Sequence, residues 1–447
     1  MTTNAQSAAF LAESGVRLLM CTFVDNAGIT RVKTIPIERL PSALLSGIGL
    51  SPAFAVMCID DHVTSTKEYG GPVGDLRLFP DLDASNIIEP DAGLAWAPLD
   101  QYTQEMQRFP LCQRDVLRHH ELAGSDLDLS FLVAFEVEFT LFAADSHTPA
   151  HRGPGYGIVP FLRLEQFSLD LIAALHAARV GVETLHPEYG PGQMEISLAP
   201  RMPVAAVDQY VLARLVITRT AYKHELDVSF APMTIPDEIG NGCHVHFSAF
   251  RNGKNAFTAG DRVHGLTPAA EHLLAGVVTH LQEAAGLFTP SVASYERLAP
   301  GRWSGAYACW GLENREAAVR LIRGTLSTRT ESANVEVKAI DAACNPYLAV
   351  AAILGTALLG LNDRLELSNP IDQDPDAIPE DERQSRGITR LPTTLAEALD
   401  LFDGSTALRG VLGDDLVDCL VAVRRYEDET YGAKPADQRI ALVRARY

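Results

Sequence analysis

Glu136 and Glu138 flank Val137, Glu195 follows Met194, His244, His246 and Ser248 alternate with Val245 and Phe247, and Glu336 and Lys338 flank Val337. Successive side chains of an extended chain point to opposite faces, so each of these segments turns its acids and histidines one way and its hydrophobic residues the other. Such faces, brought together, make a pocket of hard oxygen donors with a histidine, which is the chemistry of a divalent-cation site. For any one segment the plain reading is an amphipathic strand with its polar face in water. Solvated faces mix Lys, Thr, Ser and Gln, however, whereas these concentrate Glu and His, whose crowding needs a cation to offset it.

A fifth segment runs from His186-Pro187-Glu188 through Tyr189-Gly190-Pro191-Gly192 to Gln193-Met194-Glu195. Its glycines and proline impose a turn, so Glu188 folds back towards Glu195. Glu136, Glu138, Glu188, Glu195, His244 and Glu336 are then the candidate ligands. Six suit two octahedral cations better than one, with waters and phosphate oxygens completing each shell.

These strands need a scaffold. From Val16 to Leu99 the sequence is rich in short β-like runs punctuated by Pro and Gly, including Val16–Val24 and Leu94–Pro98, as a small sheet domain requires. From Pro110 onwards helical patterns, among them Leu164–Ala178 and Ala205–Lys223, alternate with the chemistry-bearing strands. The apolar run Leu348–Leu361 is too short to span a bilayer, follows an Asn345-Pro346 helix start, and reads as a buried helix. Pro370–Arg390 is the best candidate for a mobile loop. No internal repeat is apparent.

Taken in order, Glu136-Val137-Glu138, the His186-Pro187-Glu188 turn closing on Gly192-Gln193-Met194-Glu195, and Gly242-Cys243-His244-Val245-His246 resemble the glutamine synthetase superfamily. So do Arg297-Leu298-Ala299-Pro300-Gly301, Glu313-Asn314-Arg315, Val335-Glu336-Val337 and Asn345-Pro346-Tyr347-Leu348-Ala349. The resemblance covers roughly residues 110–350 by motif and the rest by length and order. It implies an α+β fold with a small amino-terminal β-grasp domain, residues 1–105, and a large catalytic α/β domain, residues 106–447, built on a curved, barrel-like antiparallel sheet.

The resemblance also implies a reaction. ATP phosphorylates the γ-carboxylate of glutamate, and a nitrogen nucleophile attacks the acyl phosphate. Two to three Mg2+ or Mn2+ ions per site would serve it, Glu138, Glu188 and Glu195 holding one near glutamate and Glu136, His244 and Glu336 one at the ATP phosphates. His246 and Ser248 match positions near ATP, Arg315 and Arg320 match arginines at the phosphates, and Arg297 matches the arginine that clasps the glutamate carboxylate. A homo-oligomer is implied too, a dodecamer of two hexameric rings whose sites are completed by the neighbour's amino-terminal domain.

Departures from the pattern point to the acceptor. Ammonia-using members carry a flap glutamate six residues after the arginine of Arg-Leu-x-Pro-Gly, and that place here is Trp303. The amino-terminal aspartate turn is replaced by Gly49-Leu50-Ser51-Pro52-Ala53-Phe54. An indole and an apolar turn hold ammonium poorly but accommodate an amine with a carbon body. Trp303 and Trp310 could line that pocket, with core packing as the plain alternative for each. Glu296 and Glu313 are substitutes for the missing acid, though structural salt bridges suit them better. Lys338 stands where the family has its final arginine. Ile239-Gly240 replaces an Asn-Gly, leaving Gly240 as a substrate-binding position and Asn241 available for the lost asparagine. The γ-glutamyl-amine ligases, acting on polyamines, ethanolamine or small monoamines in amine catabolism, therefore rank above glutamine synthetase, and a non-catalytic regulatory or structural member is a third reading. A scaffold would gain nothing from clustered carboxylates.

Composition agrees with a soluble enzyme, and the resemblance implies a place in nitrogen metabolism. The 447 residues allow a large core and two domains, and a formal net charge of -20 argues against nucleic acid or anionic membrane as partner. Seven scattered cysteines without paired spacing point to a reducing, cytoplasmic setting. Met1–Ser14 lacks a basic region followed by an apolar one, so a secretory signal is not expected. The acidic tract Asp372–Glu382 reads as a solvated loop, and the absence of tyrosine from Asp372 to Asp381 argues against adenylylation there.

Overall fold

A computed structural model of the chain describes residues 4–89, 92–144 and 148–447. The first three residues of the amino-terminal segment discussed above lie outside the described residues. Two sheets organise the molecule. The first has six strands: β1 (Leu18–Val24), β2 (Thr30–Pro36), β3 (Ile48–Leu50), β4 (Leu76–Pro80), β5 (Asn86–Glu89) and β6 (Leu94–Thr103). Its order is β2-β1-β6-β4-β3 with β5 beside β6, and β1 runs parallel to β6 at its centre. Leu19, Cys21 and Phe23 of β1 face inward, as the period of two in Val16–Val24 requires.

The second sheet has ten strands, β7 (Leu129–Ala143), β8 (Val182–Pro187), β9 (Gln193–Leu198), β10 (Leu226–Ser229), β11 (Cys243–Arg251), β12 (Lys254–Asn255), β13 (Tyr307–Leu312), β14 (Ala317–Ile322), β15 (Asn334–Val337) and β16 (Thr389–Arg390). It is ordered β16-β13-β14-β15-β11-β7-β9-β8, with β10 on β7 and β12 on β11, and curls into a half-barrel. The pairing is antiparallel except between β13 and β14, which are parallel because residues 313–316 carry the chain back beside β13 from a reversal at Glu313, φ 52°.

Phe131, Val133, Phe135, Val137 and Phe139 of β7 bury one face of this sheet against the long helix Pro203–Lys223, where Phe135 stacks on Tyr210 at 4.5 Å. The other face of the half-barrel is left to Glu136 and Glu138. The helix Pro346–Asp363 lies in the core, crossing Pro268–Thr279 where Gly276 meets Gly360 with no room for a side chain on either. Asn345 caps it, accepting the N–H groups of Tyr347 at 3.0 Å and Leu348 at 3.2 Å, while its Nδ2 donates to the carbonyls of Val24 and Asp25 in the first sheet. The Asn-Pro-Tyr motif thus ties this helix to the end of β1. A second tie is Arg114, 5 % exposed, which meets Asp81, Asp100 and Asp208 at 2.7–2.8 Å.

Two expectations are corrected. Trp310 lines no pocket: it is fully buried in the core and donates from Nε1 to the carbonyl of Ser368 at 2.8 Å. Residues 370–390 carry two short helices, Pro375–Ala377 and Glu380–Ser385, and are tied down where Tyr307 donates to Asp376 and Asn314 to the carbonyls of Ile371 and Gln373. The acids of that tract do face solvent.

Candidate active site

Register builds the site. β7 sets Glu136 opposite His244 on β11 and Glu138 opposite Glu195 on β9; β11 sets His246 opposite Glu336 on β15, which lies opposite Arg320 on β14. Five strands therefore deliver polar side chains to one concavity. His244 Nδ1 is 3.2 Å from both Glu136 and Glu336, its Nε2 is 3.9 Å from Glu138, and His246 Nε2 is 3.3 Å from Glu136. Glu136, His244 and Glu336 form one set of donors close enough to share an ion.

The second such set is His186, Glu188 and Glu195. His186 Nε2 lies 2.9 Å from Glu188 and 3.6 Å from Glu195, which adds a histidine beside two of the three acids expected to share an ion. Glu138 lies between the sets, opposite Glu195 in the register and 3.9 Å from His244, and its Oε2 accepts from Gln193 Nε2 at 2.8 Å and from the Gly242 N–H at 2.9 Å. Sequence reasoning quoted His186 but gave it no role. The signal was there, since His186 and Glu188 repeat the i, i+2 spacing of the other segments. The turn is as tight as its composition demands, with Gly192 at φ 72° against the carbonyl of Leu141.

The charges do not balance. Burial, and then the neighbouring Glu136, Glu138 and Glu188, push the Glu195 carboxyl well above the usual range, relieved only by Lys338. Burial works the same way on Glu136, but the hydrogen bond with His244 and the nearby His246 outweigh it and hold that carboxyl low. Burial also disfavours charge on Glu336, yet Lys338 at 3.0 Å and His244 keep it well below the ordinary value. Five carboxylates, with Lys338 paired to one of them, are a donor set that a divalent cation would complete. Gly242 lets the backbone approach these groups closely: a Cβ there would stand 2.6 Å from Arg297 Nη2, 2.7 Å from His244 Nε2 and 3.1 Å from Glu138 Oε1.

Arg297 is 4 % exposed and forms no ion pair among the described residues; Nη2 reaches the carbonyl of Lys338 at 3.3 Å, and Nη1 is buried without a partner. A buried guanidinium with a free arm is a receptor for a carboxylate. Arg320 is already engaged by Glu336 at 3.2 Å and Glu313 at 2.7 Å, whereas Arg315 is exposed at the rim. Ser248, two residues beyond His246, donates to the carbonyl of Ala333 at 3.0 Å. Gly240 backs onto Met233 and Arg297, its carbonyl accepting from Gln193 at 3.0 Å, and Asn241 Oδ1 accepts from the same Gln193 Nε2.

The segment 298–304 closes one side of the mouth, pinned where Ser304 Oγ bonds Ala299 and where Arg302 donates to the carbonyl of Glu238 at 2.7 Å. Trp303 stands on it half exposed, its ring edge-on to Tyr189 at 5.7 Å; Tyr189 meets Tyr156 at 5.8 Å, and Tyr156 stacks on His186 at 4.5 Å. An exposed row of rings runs from the carboxylates to the flap. Neither tyrosine was singled out from the sequence, where nothing marks Tyr156 as a neighbour of the turn thirty residues on.

Comparison with known proteins agrees with this geometry. The model of the glutamine synthetase catalytic domain matches residues 110–443, and that of the glutamine synthetase N-terminal domain residues 7–108. A γ-glutamylpolyamine synthetase of Streptomyces coelicolor, GlnA3, is 40 % identical over 442 residues, covering 98 % of this chain and 95 % of its own. A glutamine synthetase of Methanosarcina mazei is 27 % identical over 437 residues, 97 % of this chain and 95 % of its own. Among solved structures, a novel glutamine synthase homolog superposes with a TM-score of 0.87 at 32 % identity, covering 97 % of this chain and 99 % of the other. GmaS in complex with ADP superposes at 0.83 with 24 % identity over 97 % of each chain, a likeness of fold.

Proposed function

The chain belongs to the glutamine synthetase family, and from that membership we propose that it is an ATP-dependent ligase joining the γ-carboxylate of glutamate to an amine larger than ammonia. The observation that carries the choice of acceptor is the mouth itself, where Trp303 holds the flap position and faces Tyr189, which in turn meets Tyr156 beside the carboxylate cluster. Burying two or three methylenes of an amine against such rings is worth on the order of 2 kcal/mol, more than tenfold in specificity. Likeness to a γ-glutamylpolyamine synthetase supports the same reading.

Arg297 would take the glutamate α-carboxylate on its free arm, with Gly240 and Lys338 bounding that subsite. His246 and Ser248, further along β11, would face the nucleotide, with Arg315 and Arg320 at its phosphates. Glu136, His244 and Glu336 would hold one Mg2+ or Mn2+ ion, and Glu138, Glu188, Glu195 and His186 another. Such ions would neutralise charge on the transferring phosphoryl group. We place the domain boundary between residues 105 and 106, the active assembly in a dodecamer of two rings, and the enzyme in the cytoplasm, a setting that seven unpaired, buried cysteines support.

The test is a panel of amines, ammonia included, assayed with glutamate, ATP and Mg2+ for phosphate release and by mass spectrometry for the γ-glutamyl amide. Diamines and other primary amines are expected to exceed ammonia in kcat/KM. An enzyme that makes glutamine more efficiently than any γ-glutamyl amide overturns the proposal.

A further inference from the structure

Primary amines arrive protonated at neutral pH, and an ammonium group cannot attack a carbonyl. The flap place from which a carboxylate would take that proton holds an indole. Glu296, Glu313 and Glu316 flank the flap in sequence. Glu296 is ion-paired with Arg439. Glu313 is held by Arg320 at 2.7 Å and accepts the Arg323 N–H at 3.1 Å. Both are consumed by structural partners.

Glu316 is different. It forms no ion pair among the described residues, and its Oε1 accepts the N–H of Trp303 at 3.2 Å, with the Gly301 N–H near enough to favour the charged carboxylate. The carboxylate is therefore fastened to the flap at the residue, φ 52°, that presents its ring to Tyr189. It stands one residue before β14, thirteen positions after Trp303 in sequence. Two charged groups from other elements face it, Asp374 from the segment behind the flap and Lys338 from the end of β15. Burial is the largest influence and raises its proton affinity, Asp374 adds to this, and the two flap N–H groups and Lys338 oppose it.

We propose that Glu316 is the group that takes the proton from the incoming amine, doing from beside β14 what the flap no longer does. The inference rests on the amine-ligase reading above. An R–NH3+ group docked against Trp303 passes one proton to the Glu316 carboxylate. The free amine nitrogen then bonds to the γ-carbonyl carbon of γ-glutamyl phosphate, the C–O bond to phosphate breaks, and inorganic phosphate leaves. The second nitrogen proton, shed from the tetrahedral adduct, goes out with phosphate or water, and Glu316 returns its own to solvent.

Glu316→Gln separates this role from a latch, because the amide oxygen still accepts the Trp303 N–H but cannot act as base. Two nucleophiles are compared in wild type and variant: a diamine, protonated at neutral pH, and hydroxylamine, which is largely unprotonated there. The expected result is hydroxamate formation within about twofold of wild type and a fall of roughly 10²-fold in kcat/KM for the diamine. The diamine rate of the variant should climb about tenfold per pH unit towards the amine's own pKa. Equal losses with both nucleophiles would make Glu316 a latch only, and no loss with either would remove it from the reaction; each outcome overturns the inference. If E316Q fails to fold, Glu316→Asp decides: it should keep the wild-type pH profile for the diamine, and a profile that rises with the amine's pKa refutes the assignment. A wild-type enzyme that forms hydroxamate but no amide from any amine refutes the function proposal itself, a failure distinguishable from these.

Discussion

Gly242→Ala puts the geometry of the site under the most direct strain. The added methyl would stand 2.6 Å from Arg297 Nη2 and 2.7 Å from His244 Nε2. Non-bonded heavy atoms settle near ~3.5 Å, so both side chains must withdraw by roughly 0.8 Å. Neither has free space to do so: Arg297 Nη2 is held at 3.3 Å by the carbonyl of Lys338, and His244 lies between Glu136 and Glu336. A displacement of that size at groups that hold substrate and ion costs about 10²-fold in rate. We expect kcat/KM for glutamate to fall by that factor, with a raised KM from Arg297 and weaker Mg2+ binding from His244. Overpacking should cost about 1–3 kcal/mol of stability, leaving a folded protein. The assay is phosphate release against glutamate concentration at saturating ATP and amine, with Mg2+ affinity from calorimetry. Gly410→Ala serves as control, since a Cβ there meets nothing within 4 Å in the helix Thr406–Leu412. Wild-type kcat/KM in G242A would refute the placement of the glutamate and cation subsites around this glycine.

Glu336→Ala should destabilise the protein by about 3 kcal/mol as well as abolish turnover, because it leaves buried Lys338 and Arg320 facing each other without their shared carboxylate; a thermal midpoint equal to that of Glu138→Ala would contradict this. Cation binding should release a proton, since Glu195 in the metal-free protein keeps its proton through neutral pH. Mg2+ affinity therefore rises with pH, and calorimetry in buffers of different ionisation enthalpy that detects no proton release would count against it. All seven cysteines are buried, and burial pushes thiols such as Cys21, Cys58 and Cys243 up to about 12. The native protein should leave a thiol reagent unreacted and show all seven groups in denaturant; a fast-reacting native thiol would disprove it.

The alternation of Glu136-Val137-Glu138 and His244-Val245-His246 was enough to place acids and histidines on one face and hydrophobic residues in the core, because a period of two is local to the backbone. Asn345-Pro346 likewise foretold a capped, buried helix. Those features depend on neighbours in the chain. What the sequence left open was which strand lies beside which. The pairing of Glu138 with Glu195, and of Glu336 with His246 some ninety residues earlier, is set by the register of antiparallel strands, and one residue of slip would have turned every ligand into the core. The parallel return of β14 beside β13 brought Glu316 under the flap, where no motif marked it. His186 entered the cation cluster for a similar reason: its spacing made it eligible, but only the fold of the turn set it against Glu195. Trp303 and Trp310 make the contrast plainest, two indoles seven residues apart, one at the mouth and one in the core, divided by a turn and a strand whose burial is a property of the assembled sheet.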